Sequence, residues 1–151
     1  MKKIFLFLLV LFSIIGFSQK LENLYGKWKG TDNHNNSIGN VIFSDEGYIS
    51  FIYKGQLIDG KNFVIHGGKN NGKSGKVKYT VDFTTNPYKI NLIAFFDDNG
   101  KIIEKGILKG LLKFVNNDEI LILFDFDNKG YTNFTDENKN EVGYLIREKN
   151  E

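Results

Sequence analysis

The chain has 151 residues, of which 20 are basic and 18 acidic, and it contains no cysteine. The lack of cysteine excludes a disulfide framework and any zinc site built on thiolates. Residues 1–18 contain two lysines and no acid, so residues 19–151 have equal numbers of basic and acidic residues. A domain of balanced charge has no general attraction for nucleic acid or anionic lipid, and we predict neither as a partner.

The chain start has the three-part layout of a secretory signal peptide. Two lysines precede an apolar run from Ile4 to Ile15, and small residues occupy the positions before a predicted cut after Ser18. The apolar run is shorter than the roughly 20 residues that a membrane-spanning helix needs. We therefore predict a signal peptide at residues 1–18 and one exported domain at residues 19–151, periplasmic or extracellular, with no membrane span.

The remaining chain has the two-residue hydrophobic period that is typical of strands. The clearest case is residues 76–83, in which Val77, Tyr79 and Val81 share one face and polar residues share the other. Further strand-like segments are residues 41–44, 47–54, 88–96, 107–115, 119–126 and 141–148. We predict hairpins across residues 44–47, around residues 59–60, and at Asn99 and Gly100.

An antiparallel meander that buries one face of each strand can remove its exposed edges by closing on itself. The predicted fold is a single-domain, all-β, antiparallel up-and-down barrel of about eight strands, with a short helical turn at residues 20–25. The predicted inward faces place five side chains inside the barrel, where they would line a cavity for the ligand: Phe51, Tyr53, Tyr79, Leu92 and Leu112. A barrel of this size either fills its interior with side chains or holds one small ligand, and both possibilities stay open.

One motif suggests nucleotide binding. Residues 67–74, GGKNNGKS, satisfy the pattern of a phosphate-binding loop. That loop needs a helix directly after it, because the helix N-terminus supplies the N–H groups that hold the phosphates. Here the residues after Ser74 alternate as in a strand. We therefore predict a solvated hairpin loop and no nucleotide.

Other candidate sites lack essential groups. Residues 125–136 resemble a calcium loop, but Lys129 occupies a place where an oxygen ligand belongs. His34 and His66 are far apart in sequence, and no cysteine supports them as metal ligands. The adjacent carboxylates of residues 97–98 belong to a turn, where solvation explains them better than glycoside chemistry does. We predict no catalytic residue, no metal and no cofactor.

Residues 21–30, LENLYGKWKG, resemble the opening of lipocalin-type (calycin-type) barrels, a short helical turn followed by Gly26-x-Trp28 on the first strand. In those barrels, a basic residue near the end of the last strand packs on the tryptophan. The resemblance implies that Arg147 packs on Trp28 at the closed end. A guanidinium over an indole combines stacking with hydrogen bonds to nearby carbonyls, so both residues are predicted to be structural.

A second resemblance covers most of residues 19–151. The segments YTVDFTTNPYKINL, GILKGLLKF, NNDEILILF and YTNF are similar to a family of small secreted bacterial domains of unknown function, first defined in planctomycetes. The matching positions are Thr84, Asn86, Pro87, Lys89, Ile90, Gly106, Gly110, Leu112, Thr132 and Phe134. Gly130 and Tyr131 stand where that family has arginine and proline. The resemblance implies a lipocalin-like fold and brings no activity with it.

These observations predict an exported protein that is not an enzyme and that binds a small, partly apolar ligand inside the barrel. The alternative is an envelope or extracellular interaction module with a filled core, which would bind a protein or glycan partner through its polar loops at residues 31–40, 67–75 and 125–140. For a third possibility, an exported hydrolase, the sequence offers no set of catalytic residues.

Overall fold

A computed structural model describes residues 21–32, 36–53, 55–66 and 71–149; the predicted signal peptide lies outside this range. The described chain is all-β. Its strands are β1 (Gly26–Thr31), β2 (Ser37–Phe43), β3 (Ile49–Tyr53), β4 (Gln56–Ile58), β5 (Phe63–Val64), β6 (Ser74–Asp82), β7 (Tyr88–Asp98), β8 (Lys101–Asn116), β9 (Glu119–Phe124) and β10 (Gly143–Arg147). One turn of 3-10 helix, Lys139–Glu141, precedes β10.

All ten strands form one antiparallel sheet in the order β4-β3-β2-β1-β10-β9-β8-β7-β6-β5. The sheet curls until β3 approaches β6, so that the barrel is nearly closed. Three backbone contacts form this closing seam. Tyr48 pairs with Lys78 in an isolated bridge, the Tyr79 N–H donates to the Gly47 carbonyl at 3.0 Å, and the Val77 N–H donates to the Gly60 carbonyl at 2.7 Å.

The interior of the barrel is apolar. Side chains from eight strands and from the turn before β1 form one buried cluster: Leu24, Trp28, Val41, Phe43, Ile49, Val77, Tyr79, Ile90, Leu92, Leu112, Ile120, Ile122 and Leu145. Most of these positions alternate along their strands with exposed or half-exposed residues, as a sheet with one buried face requires. The hydrophobic pattern therefore fixes which face of each strand turns inward.

A smaller apolar cluster lies on the outer face of β8 and β9. Leu111 and Leu123 are paired across these strands, and both are buried together with Val142 beneath the segment that leads to β10. That segment is held in place by Asn138, whose side chain is 4% exposed and hydrogen-bonds to backbone groups of Asn133 and Thr135 at 2.9 Å. The outer cluster fastens a long polar connection to the barrel wall.

The structure confirms an all-β antiparallel barrel-like fold but has ten strands rather than about eight. The two additional strands, β4 and β5, come from the segment around Asp59 and Gly60, for which the sequence predicts a hairpin. That pairing is wrong: β4 pairs with β3, and β5 pairs with β6. The physical reason is the closing seam, which uses the Gly60 carbonyl to bind β6.

The predicted helical turn at residues 20–25 lies partly outside the described chain. Its described part contains two successive turn hydrogen bonds, from Leu24 N–H to the Leu21 carbonyl at 2.9 Å and from Tyr25 N–H to the Glu22 carbonyl at 3.2 Å. The hairpin turn at Asn99 and Gly100 is present, with φ of 57° and 83°. Positive φ at both positions is what a tight two-residue hairpin turn requires.

Gly60 leaves no room for a side chain at the seam, because a Cβ there would lie 2.0 Å from the Ile49 carbonyl oxygen. We expect Gly60→Ala to lower the free energy of unfolding by about 2–4 kcal/mol, through a backbone displacement that costs the seam its hydrogen bonds. The control is Gly106→Ala on β8, where a Cβ would meet nothing within 4 Å. Urea unfolding of both variants tests this, and equal stabilities would contradict it.

Candidate functional site: the open end of the barrel

The barrel has one covered end and one open end. The register places the start of β1, the end of β2 and the end of β10 together at the covered end. There Leu24, from the turn before β1, is fully buried and accepts a hydrogen bond from the Trp28 indole N–H at 2.8 Å. The turn therefore covers this end of the interior.

Arg147 completes the cover. Its guanidinium carbon lies 4.2 Å from the centroid of the buried Trp28 ring. The guanidinium donates hydrogen bonds to the backbone carbonyls of Tyr25, at 2.6 Å, and of Asn23, and a longer one to Asn117 at 3.3 Å. A planar group with several donors suits this place, since it stacks on the indole and binds several carbonyls at once. The contacts are those of a structural residue.

Three of the five predicted ligand-lining residues lie in the filled part of the interior. Leu92 and Leu112 are buried in the core cluster. Tyr79 is also buried there; its hydroxyl donates to the Ser44 carbonyl at 2.9 Å, and its ring contacts Phe43 edge-on with centroids 5.0 Å apart. Burial raises the pKa of Tyr79 above its ordinary value of about 10. These side chains are packed within the core cluster of the interior.

The remaining two residues lie toward the open end. Phe51 on β3 lines a cavity of about 270 Å³ at that end. Tyr53 is the last residue of β3, and its side chain lies outside what the structure describes. The predicted lining is thus divided between the filled interior and the open end, with only Phe51 placed at the cavity.

The cavity is lined mainly by apolar groups from β2, β3, β9 and β10. Its lining comprises Ile38, Gly39, Asn40, Val41, Phe51, Ile52, Ile122, Phe124, Phe126, Glu141, Gly143 and Leu145. Phe126 stands at the rim, 76% exposed, with its ring 6.1 Å from that of Phe124. An aromatic ring so exposed at the edge of an apolar cavity offers surface that a bound molecule could cover.

A β-bulge and two glycines shape the cavity. Ile38 is the extra residue of the bulge where β1 and β2 shift register between Gly30 and Thr31. Its side chain occupies the space above Gly30 and Gly143, at which an added Cβ would lie 2.8 Å and 3.2 Å from Ile38 atoms. A bulge turns a side chain away from strict alternation. For this reason alternation did not predict Ile38 as a lining residue.

An ion-pair network forms the polar rim beside the cavity. The Lys129 ammonium contacts Glu141 at 2.9 Å and Asp127 at 3.1 Å, while the Tyr131 hydroxyl donates to the second Glu141 oxygen at 2.8 Å. The hydrogen bond from Lys129, followed by that from Tyr131, lowers the pKa of Glu141, and Glu141 in turn raises the pKa of Lys129. Both groups are therefore charged and mutually compensated at neutral pH.

In the calcium-like loop, residues 125–136, carboxylate oxygens accept hydrogen bonds from the protein itself. Both Asp125 carboxylate oxygens accept backbone hydrogen bonds at 2.7 Å, from the N–H groups of Lys129 and Gly130. The Lys129 ammonium forms ion pairs with the carboxylates of Asp127 and Glu141. Across the described ranges, no group of three or more histidine, cysteine, aspartate or glutamate residues converges as a metal site.

The other motifs also have structural roles. Ser74 begins strand β6, and Lys73 forms an ion pair with Asp98 across the neighbouring hairpin; Gly67 of the phosphate-loop pattern lies outside the described residues. The Asp97 carboxylate accepts the Gly100 N–H at 2.6 Å, as a turn residue does. His34 lies outside the described residues as well.

In the described part of the chain, no helix is both long enough and apolar enough to cross a membrane.

Comparisons with family models, with curated proteins and with solved structures find no match for this chain. The two resemblances drawn from the sequence therefore stay predictions.

The covered end gives a first test. Arg147→Lys keeps the charge but loses the planar fork, so we expect unfolding free energy to fall by about 2–3 kcal/mol. The fluorescence of Trp28, the single tryptophan, should change in the same variant. Lys149→Arg, at an exposed position that also lies near Asp118, serves as the control. Equal effects of the two exchanges on stability and fluorescence would refute the structural role of the guanidinium.

The buried Tyr79 hydroxyl gives a second test, through pH. We expect Tyr79→Phe to cost about 1 kcal/mol at pH 7, because it removes the hydrogen bond to Ser44. The raised pKa keeps Tyr79 protonated in the folded state while the unfolded chain ionises above a pH of about 10. Wild-type stability therefore falls above that pH, and the difference from the variant should shrink.

Urea titrations at pH 7 and pH 11 measure this difference. Tyr144→Phe, at an exposed position on the outer face of β10, is the matched control. A Tyr79→Phe difference that is the same at both pH values would contradict the prediction.

Proposed function

We propose that this protein is an exported, non-catalytic barrel that holds one small apolar ligand at its open end. The observation that carries the proposal is the cavity of about 270 Å³ lined by Phe51, Phe124 and Phe126 among other apolar groups. Ligand sites are usually concave and mostly apolar, with a few polar groups that fix orientation. The proposal of export rests on the signal-like sequence of residues 1–18.

The size of the cavity limits the ligand. Pockets for drug-sized molecules have volumes of roughly 300–1,000 Å³. A cavity of about 270 Å³ suits a single ring system or a short branched chain, or one apolar end of a longer molecule. The filled core beneath it, with buried Leu92 and Leu112, prevents deeper entry. The ligand therefore binds at the mouth and keeps part of its surface in solvent.

The side chains at the rim of the cavity favour a ligand that carries no charge. Among the described residues that line the cavity, Glu141 is the one with a titratable side chain. Both of its oxygens already accept hydrogen bonds, from Lys129 and Tyr131. A charged ligand would have to break this network, whereas a neutral one leaves it intact. The same occupancy leaves Glu141 poorly suited to general acid–base chemistry, in keeping with a non-catalytic role.

A partner-binding module remains the second candidate, and one observation favours it. The edge strands β4 and β5 expose Leu57, Ile58 and Val64, with Leu57 60% exposed. An exposed sheet edge with apolar side chains can add a strand from a partner protein. In this case the mouth cavity would stay empty and the edges would carry the interaction.

Native mass spectrometry of protein purified from its own host distinguishes the two candidates. A small molecule that stays bound under native conditions and is released on denaturation supports the ligand-binding barrel and identifies its ligand. The bare protein mass, together with no binding of neutral apolar fluorescent probes, would refute that function and favour the edge-strand module.

A variant that fills the cavity tests its position. Val41 lines the cavity from β2, and we expect Val41→Phe to weaken binding of a neutral apolar probe at least about tenfold, at a stability cost of about 1–3 kcal/mol. The same exchange at exposed Val115, on β8 and outside the cavity lining, is the control and should bind like wild type. Unchanged probe affinity in a folded Val41→Phe protein would exclude this cavity as the site.

A further inference from the structure

A cluster of lysines, separate from the mouth, lies on the outer wall of the barrel. Three lysine side chains surround the ring of Tyr48, with ammonium nitrogens 5.0 Å (Lys78), 5.7 Å (Lys61) and 5.9 Å (Lys76) from its centroid. Lys76 and Lys78 stand two residues apart on the outer face of β6, and Lys61 comes from the connection between β4 and β5. The closing seam brings these elements together through the Tyr48–Lys78 bridge.

The positive charge of this cluster is only partly compensated. Lys61 forms an ion pair with Glu46, whose hydrogen bond raises the pKa of Lys61. Lys76 and Lys78 form no ion pair with any acid that the structure describes. The face of an aromatic ring attracts cations and helps to hold these ammonium groups near one another. An anion placed over the cluster would receive hydrogen bonds from two uncompensated charges.

An apolar groove of about 400 Å³ continues from the lysines. Its opposite side is formed by Phe95, Phe96 and Ile102, and Ile102 is 65% exposed. The one acid in the groove lining, Asp97, already accepts a hydrogen bond from the Gly100 N–H at 2.6 Å. The groove is therefore cationic at one end and apolar at the other.

We infer that this groove binds a small organic anion. The carboxylate, sulfate or phosphate group contacts Lys76 and Lys78, and the apolar body of the molecule lies against Phe95 and Ile102. This site is independent of the neutral ligand proposed for the mouth, because the two cavities share no lining residue.

The extent of the cluster favours a single anionic group over an anionic polymer or a membrane. Nucleic acid binding needs a basic track that follows many phosphates, and recognition of anionic lipid usually uses clusters of four to eight basic residues. Here the basic residues gather around one tyrosine ring, and residues 19–151 have balanced charge. Three lysines around one ring suit a single oxyanion and do not form the track that an extended polyanion needs.

Nuclear magnetic resonance titration of the isotope-labelled protein with naphthoate tests the inference. Naphthamide, which has the same shape without the charge, serves as the matched ligand. We expect naphthoate to shift the backbone amides of Tyr48, Lys76, Lys78 and Ile102, with an affinity that falls as salt is added. Naphthamide should bind this groove at least about fivefold more weakly.

Paired variants test the role of the charges. Lys76→Gln combined with Lys78→Gln should weaken naphthoate binding about tenfold. Lys105→Gln combined with Lys113→Gln removes the same charge at exposed positions of β8 and should change the affinity less than about twofold. All four positions are on the protein surface, so both variants should fold, which their amide spectra would verify.

Three results would overturn the inference. Equal affinities for naphthoate and naphthamide would remove the role of the anion, and equal affinities of the two double variants would remove the role of these lysines. Lysine-dependent binding to phosphatidylglycerol vesicles without any binding of naphthoate would assign the surface to membranes instead. Naphthoate binding that survives in the Val41→Phe variant separates this site from the mouth, so either proposal can fail alone.

Discussion

Closure of the barrel depends on Gly60, a position that has no room for a side chain. At Gly60 the chain passes so close to β3 that the Ile49 carbonyl would overlap a Cβ. The same glycine donates its N–H to the Ser50 hydroxyl at 2.9 Å and accepts the Val77 N–H at 2.7 Å. It therefore links β3 and β6, which are not neighbours in the hydrogen-bonded strand order. Together with the contacts of Tyr48 and Gly47 to β6, this link closes a sheet that would otherwise be an open, curved surface with its apolar face exposed.

Closure at this seam creates two different environments from one sheet. Inside, the core is filled at the covered end by large groups such as Trp28 and Phe43 and becomes looser toward the mouth, where glycines and the Ile38 bulge leave a cavity. Outside, the seam brings Tyr48 beside Lys76 and Lys78. The two proposed sites, one for a neutral ligand and one for an anion, thus lie on opposite sides of the same wall.

The sequence correctly predicted the features that depend on a strict alternation of apolar and polar residues or on a local turn. The inward faces of β6, β7 and β8, the turn at Asn99 and the strand after Ser74 agree with the hydrophobic pattern, because each depends on a local period or a local turn. The predictions fail where a contact between residues distant in sequence determines the local structure. Leu111 alternates as an outward residue yet is buried by a later segment, and the segment around Gly60 pairs with strands on both sides instead of with itself.

The candidate sites were harder to predict than the fold for the same reason. Of the five predicted lining residues only Phe51 is placed at the cavity, since alternation tells which face is inward but not how far along the barrel axis the core is filled. Ile38 enters the cavity through a bulge that no periodicity reveals. The cluster around Tyr48 combines residues from three separate segments, and only the closing seam shows that they meet.

The position of β10 has a consequence for how the molecule forms. The chain reaches this strand last, yet β10 lies near the middle of the sheet, between β1 and β9, with Trp28 opposite Arg147 across more than 100 residues. Until β10 is made, β1 lacks one of its two neighbours and the two halves of the sheet remain unjoined. A barrel with so many distant pairings is expected to fold slowly. Its cooperative structure can therefore arise only after nearly the entire chain has been synthesised.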